Sequence, residues 1–312
     1  MTDRSTPLRY VIAGLAVASE IPLPGLIAGG GDQVDADATI NAGSVPRDLP
    51  GAASSGPNWQ LSGGRFLIAI PEIVRMLITD GREIVFDLED GVTVAEAAIF
   101  ISGTGFGLLL HQRGHIVLHA SAVRVGQGAV LFCGPSGAGK STLAASLVER
   151  GYDLVTDDFC AVSLREDGSL WIEPDGRQLK LWQHSIDRLG LVERRSAPVR
   201  PQIGKFYVEP RTVAAEPLPL TGLYLLQEER ANMRPGISQP NVVDRGLIVR
   251  RNAYRPAMVR HFDQTGHYFM AAAAITERAG VFELTRAMNF DHFPEVIGWL
   301  EAHWRERGLL DA

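Results

Sequence analysis

The sequence predicts an α/β protein in two parts: a small α+β unit over residues 1–112, then a larger α/β unit over 113–312 built around a phosphate-binding loop. Three observations lead there. The 312 residues are enough for about two domains. The run 134–141 has the spacing of a phosphate-binding loop, with an apolar run before it and a helix-forming run after it. The texture also changes at His115, from turn-rich strands with one helix to apolar runs that alternate with helices.

In chain order, the apolar run 9–18 reads as a first strand. The interval 21–64, rich in Gly, Pro, Ser and Ala, reads mostly as loop, with a short strand around 34–40. Residues 66–70 and 83–86 read as strands, with Asp80-Gly81 as the turn before the second. Thr93 and Glu96 have capping-box spacing, in which the hydroxyl takes the amide three residues on and the carboxylate reaches back. Behind them Val94, Ala97, Ala98, Ile101, Gly105 and Leu108 recur at helical spacing, so a helix is expected to end near Leu110.

From His115 onward, 116–118 and 129–133 read as strands split by a Gly126-Gln127-Gly128 turn. A helix is expected at 141–150, stopped by Gly151 in a left-handed cap. A strand over 153–156 closes on Asp157-Asp158, and a hairpin turn at 166–168 returns through 169–172. Strands are expected at 222–227 and 281–285, and helices at 258–278, interrupted at Gly266, and at 292–304. The segment 228–245, with Pro235, Gly236 and Pro240, reads as a mobile loop.

Composition narrows the function. Hydrophobic residues are 46% and charged residues 21% of the chain, which excludes a disordered or fibrous protein. Thirty Lys and Arg against 36 Asp and Glu give a net charge of −6. Binders acting through bulk charge are basic, so nucleic acid is not an expected partner. The two cysteines, Cys133 and Cys160, make no disulfide framework, and the expected setting is reducing and cytoplasmic. The longest nearly uncharged apolar stretch, 97–110, has fourteen residues and three glycines. A spanning helix needs about 20, so no membrane is expected. Arg4 and Arg9 before the run 10–18, which ends in Ala16-Val17-Ala18, leave a trace of a secretion signal, but the run is short and Asp3 precedes it.

The chemistry concentrates at Gly134-Pro135-Ser136-Gly137-Ala138-Gly139-Lys140-Ser141, which fits G-x-x-x-x-G-K-[ST] at every position. Its glycines let successive amides point inward as a nest for phosphate oxygens, and the following helix adds its positive end. Lys140 bridges outer phosphates as a point charge. The Ser141 hydroxyl is a hard ligand suited to Mg²⁺, and Thr142 completes the nucleotide-contacting run. Asp157-Asp158 offers one carboxylate for Mg²⁺ and one to take a proton from a substrate hydroxyl. His119 among apolar residues reads, by itself, as a core histidine. The remaining histidines show no metal-ligand spacing.

The order His119, loop, Asp pair resembles the HPr kinase/phosphorylase family of bacterial serine kinases. His119 precedes Lys140 by 21 positions and Asp158 follows it by 18, the offsets at which that family carries its active-site His and acid/base Asp. The run GPSGAGKSTLAASLVERGYDLVTDD resembles the family's loop-to-Asp segment along its length. LHASAV (118–123) and LKLW (179–182) resemble the subgroup found with lasso-peptide biosynthetic enzymes, which phosphorylate a serine on a precursor peptide. The resemblance implies an HPr-kinase/PEP-carboxykinase-like C-terminal domain, ATP and Mg²⁺ as cofactors, and a peptide or small-protein partner bearing the acceptor Ser. It implies Asp158 as proton acceptor, His119 as an active-site residue, Ser141 and Asp157 at the metal, and Lys205 as a second cation near the transferred phosphate.

The pattern also departs. Thr142 stands where the family has Glu, no E-x-R-G-x-G-I-I-N stretch occurs, and Trp182 occupies the ungapped position of its Glu. These weigh against the dephosphorylating half of the activity. The family assembles as hexamers, but residues 1–112 do not resemble its N-terminal domain. A small-molecule kinase or carboxykinase on the same scaffold, and a non-catalytic ATP-dependent peptide-binding module, remain as alternatives.

Overall fold

The structure is a computed structural model and describes residues 7–29, 35–201 and 203–311. Gly30, Gly31 and Val34 of the expected loop, and Asp3 and Arg4 of the signal-like segment, lie outside the described residues.

An eight-stranded sheet forms first: β1 (Leu8–Ile12), β2 (Leu15–Ser19), β3 (Ala38–Ala42), β4 (Ser54–Gly56), β5 (Trp59–Ser62), β6 (Arg65–Ile70), β7 (Val74–Thr79) and β8 (Glu83–Leu88). Its order is β1-β2-β3-β8-β7-β6-β5-β4. The run expected as one strand at 9–18 is a hairpin, because Ala13 and Gly14 both take positive φ (51° and 76°) in a two-residue turn whose twist suits antiparallel strands. Asp80 and Gly81 also take positive φ, 50° and 64°, in the three-residue connection between β7 and β8. Among its described residues the interval 21–64 is mostly loop, as expected, and it holds three short strands, β3, β4 and β5. Strands as short and polar as SSG and WQLS carry no period of their own and exist through pairing with neighbours.

Thr93 caps α1 (Val94–Ile99) with the expected box: its hydroxyl accepts from the Glu96 amide, and Glu96 accepts from the Thr93 amide at 2.9 Å. The helix continues through a π-helical stretch, Phe100–Gly105, into α2 (Phe106–Gln112). Val94–Gln112 is therefore long and apolar enough to cross a membrane, more than the fourteen-residue stretch suggested, but most of it is buried inside the protein. Ile101, Phe106 and Leu109 join Phe66, Met76 and Ile84 of the sheet in one core. Gly107 is required here: a Cβ would stand 2.4 Å from the Tyr254 ring.

The rest of the chain gives β9 (Ile116–Leu118), β10 (Ala120–Val125), β11 (Gly128–Cys133), α3 (Lys140–Glu149), β12 (Leu154–Thr156), β13 (Cys160–Leu164), β14 (Leu170–Ile172), β15 (Leu179–Trp182), α4 (Gln183–Leu189), β16 (Arg195–Pro198), β17 (Lys205–Val208), β18 (Leu218–Glu228), β19 (Gly236–Ser238), α5 (Val242–Arg251), α6 (Pro256–His261), α7 (Thr265–Ala274), β20 (Val281–Arg286) and α8 (Phe293–Glu306). A nine-stranded sheet runs β12-β10-β11-β18-β14-β13-β9, with β20 on β18 and β19 on β20, while β15-β17-β16 form a small third sheet. The molecule is mixed α/β, as expected. β11, β18 and β20 are parallel, and β12 points the same way because it is antiparallel to β10, which is antiparallel to β11. The C-terminal ends of these four strands and the start of β10 therefore share one edge, where ligands settle in open α/β sheets.

Two expectations are corrected. The segment 228–245 is not loop throughout: β19 pairs with β20, and α5 starts at Val242, where the Asn241 side chain accepts from the amides of Val243 and Asp244. The helix expected over 258–278 breaks at 262–264, where Asp263 takes φ 54°, and not at Gly266, which lies inside α7. Cys133 and Cys160 are free, buried and on strands that do not pair with each other. Burial pushes the Cys133 thiol up to about 12 and raises Cys160 as well, so both are inert apolar groups.

Candidate active site

The loop between β11 and α3 is shaped by three glycines with positive φ: Gly134 at 144°, Gly137 at 87° and Gly139 at 83°. A side chain at Gly139 would be strained and would also meet the Arg286 guanidinium at 2.6 Å. Lys140 heads α3 and turns its ammonium back to the carbonyls of Gly134 (2.8 Å) and Pro135 (3.2 Å). Burial pulls its pKa below the ordinary value.

The shared edge gathers the other predicted residues. His119 precedes β10 and the Asp pair follows β12, so neighbouring strands deliver them to one cleft. That cleft is lined by His119, Ser136, Gly137, Gly139, Lys140, Ser141, Thr142, Asp157, Asp158 and Lys205 among others. Gly134 and Pro135 line a second cavity that also touches His119, and Ala138 lines a third with Ser136 and Gly137. All the sequence-predicted site residues thus surround one loop.

The two carboxylates are held differently. Asp157 is buried; it accepts from the Ser121 hydroxyl at 2.6 Å and from the Lys180 amide at 3.1 Å. Asp158 takes φ 79°, a left-handed conformation that Asp tolerates better than most residues but that stores strain. Its carboxylate pairs with Lys180 Nζ at 2.7 Å. Burial alone would push the Asp158 carboxyl up. Lys180, helped by Arg177 and His119, overrides burial and holds it well below the usual carboxylate range. Arg177 is itself paired with buried Asp175.

His119 Nδ1 lies 2.6 Å from the Asp158 carbonyl and 3.9 Å from its Oδ1. A carbonyl only accepts, so Nδ1 carries the proton and Nε2 keeps its lone pair. Burial, then Lys140, push the ring's pKa below its ordinary value despite Asp158, so His119 is neutral at pH 7. It is not a core histidine; it braces the strained Asp158 backbone.

Four further residues belong to this site and were missed by the sequence reading. Lys180 is the ammonium that touches Asp158, whereas Lys205, paired across the small sheet with Trp182, lines the cleft farther along with its ammonium 6.0 Å from the Trp182 ring. Ser121 orients Asp157. Asn252 accepts from the Gly134 amide through Oδ1 at 3.0 Å and from the His119 amide through its carbonyl at 2.8 Å, tying loop to histidine. Arg286 donates to the Ala138 carbonyl at 2.9 Å. Ser121 and Lys180 lay inside the LHASAV and LKLW stretches, a signal that was available; Asn252 and Arg286 had none.

Among the described residues no group of three or more His, Cys, Asp and Glu forms a metal cluster. The donors present, a hydroxyl and two carboxylates, are hard oxygens. They suit an Mg²⁺ whose shell is completed by substrate phosphates and water.

Fold and cleft together define a mixed α/β protein with a glycine-rich loop facing an Asp pair. The family model of the HPr Serine kinase C-terminal domain matches residues 112–193. The HPr kinase/phosphorylases of Streptococcus thermophilus strains LMD-9, CNRZ 1066 and LMG 18311 are each 44% identical over 57 residues. That alignment covers 18% of this chain and spans only 18% of each relative's own length. The solved Hpr(Ser) kinase/phosphatase from Coxiella burnetii aligns with a TM-score of 0.33 and 13% identity, over 62% of this chain and 92% of that one. Residues 112–193 are thus similar to the HPr Serine kinase C-terminal domain.

Proposed function

We propose that this protein is an ATP-dependent serine kinase that transfers the γ-phosphate to a Ser hydroxyl of a peptide or small protein. The observation that carries the reading is the placement of Asp158, braced by His119 and Lys180, on the same cleft as the glycine-rich loop. The amides of 134–141 and Lys140 would hold the triphosphate. Mg²⁺ near Ser141 and Asp157 supplies charge neutralisation when bound. Asp158 accepts a hydrogen bond from the acceptor hydroxyl and takes its proton; the seryl oxygen bonds to the γ-phosphorus, and the bond to the β–γ bridging oxygen breaks, releasing ADP. A carboxylate held this strongly ionised is a weak base, which suits a loose phosphoryl transfer in which alignment matters more than early proton removal.

The second cavity, which meets the first at His119 and is lined by Arg251, Tyr254 and Arg255, is the approach for the acceptor. We assign catalysis to a unit over 113–312, support of its Tyr254 side to the unit over 1–112, and the cytoplasm as the setting. A lasso-type precursor, suggested by the resemblance of LHASAV and LKLW to that subgroup, and an HPr-like protein are the candidate acceptors. Incubation with γ-labelled ATP and both acceptors tests this. Phosphoserine on either one supports the kinase, and its position on one identifies the substrate. Label on a small metabolite, or MgATP binding without transfer to any acceptor, overturns it.

A further inference from the structure

Arg286 ends β20 with 1% of its surface exposed. Its Nη2 donates to the Ala138 carbonyl at 2.9 Å and its Nη1 to the Ala287 carbonyl at 3.4 Å, while Nε is buried without a partner. The guanidinium lies 5.1 Å from the centre of the Phe293 ring. Among the described residues no carboxylate stands within ion-pair distance of it; burial is the one influence on its pKa and pushes it down to about 10. At pH 7 it is still a cation.

A buried cation without a counter-charge is expensive. Packing does not explain it, because a methionine would fill the same space with no charge to desolvate. The group lines the cleft beside Gly139, Lys140 and Ser141, and its Nη2 would stand 2.6 Å from a Cβ placed on Gly139. An anion entering from the cleft would supply the missing partner. A planar guanidinium with an unused N–H suits a phosphate, and loop amides surround the same space.

We propose that Arg286 is a nucleotide-binding residue that takes a phosphate oxygen on the Gly139 side of the loop, as a second cationic contact beside Lys140, and that the ligand-free protein is less stable for holding it. The inference rests on the cleft being a MgATP site.

The two consequences have opposite signs, which separates them from a structural role. Arg286→Met removes the uncompensated charge, so the ligand-free melting temperature rises by about 2–4 °C. The same change weakens binding of Mg²⁺–AMP-PNP, read by calorimetry, by about 10- to 100-fold. Arg286→Lys keeps the charge but loses the fork, so its affinity falls between the two and its melting temperature stays below that of Arg286→Met. Wild-type affinity in Arg286→Met overturns the proposal. So does a fall in melting temperature or failure to fold, which would make Arg286 a strut for the loop. If the wild-type protein itself does not bind Mg²⁺–AMP-PNP, the MgATP reading fails first and takes this inference with it.

Discussion

Removing Lys180 tests how the site controls its own carboxylate. Lys180 Nζ stands 2.7 Å from Asp158 Oδ2, with the lysine side chain 8% exposed and the aspartate 26%. An opposite charge this close lowers a carboxyl by about 1–3 units, or about 1.4–4 kcal/mol. Because the carboxylate is partly exposed, solvent screening brings the expected coupling down to about 1–3 kcal/mol. A double-mutant cycle with Lys180→Met, Asp158→Asn and the pair, followed by urea denaturation at pH 7, measures it. Each single change leaves one charge uncompensated in a mostly buried place, and the double change costs less than their sum by the coupling energy. The pH dependence has a defined sign. Since the Asp158 carboxyl is lowered on folding, its contribution is complete above the unfolded value of about 3.9 and is lost as pH falls through the lower folded value. The coupling should therefore be flat from pH 8 to 5 and fade only in strong acid. Additivity within about 0.5 kcal/mol at pH 7 would refute the argument that Lys180 sets the state of Asp158.

Two further outcomes are expected. Burial, with Arg113 and His267 nearby, pushes His115 down to about 4. Unfolded histidine titrates near 6.5, so the folded state binds fewer protons and stability falls, by at most about 3.4 kcal/mol, as pH drops from 6.5 to about 4. In His115→Gln that fall shrinks, read as unfolding free energy against pH; an unchanged acid limb contradicts the assignment. Asn252→Ala leaves the Gly134 amide without its 3.0 Å partner and costs about 1–3 kcal/mol. MgATP binding weakens with it, because the first amide of the loop is no longer held; unaltered affinity by calorimetry would show that Asn252 does not position the loop.

What was legible in the sequence was local. The loop of 134–141, the Thr93–Glu96 box and the Asp80-Gly81 turn each encode their geometry within a few residues, through positive φ, capping hydrogen bonds or successive amides. The offsets to His119 and Asp158 could be read because adjacent strands carry both to one edge. Asn252 and Arg286 could not be read this way, and Lys180 only through its place in LKLW. They reach the loop from β15 of the small sheet, the end of α5 and the end of β20, and only the tertiary fold brings those elements together. The hairpin inside 9–18 was hidden because Ala13 is an unusual residue for a left-handed turn position. The helix α5 was hidden because its opening Val242 and Val243 face solvent and it ends on Arg250 and Arg251, leaving Ile248 and Val249 as its only buried residues.

The central claim is that the loop of 134–141 binds a triphosphate whose terminal group faces Asp158. Calorimetry of MgATP with the wild-type protein and with Asp158→Asn, run alongside γ-phosphate transfer to the best acceptor, tests it most directly. The account predicts MgATP affinities within about threefold of each other and a loss of transfer of about 10²- to 10⁴-fold in the variant. Absence of MgATP binding to the wild-type protein, or transfer by Asp158→Asn at the wild-type rate, would contradict it.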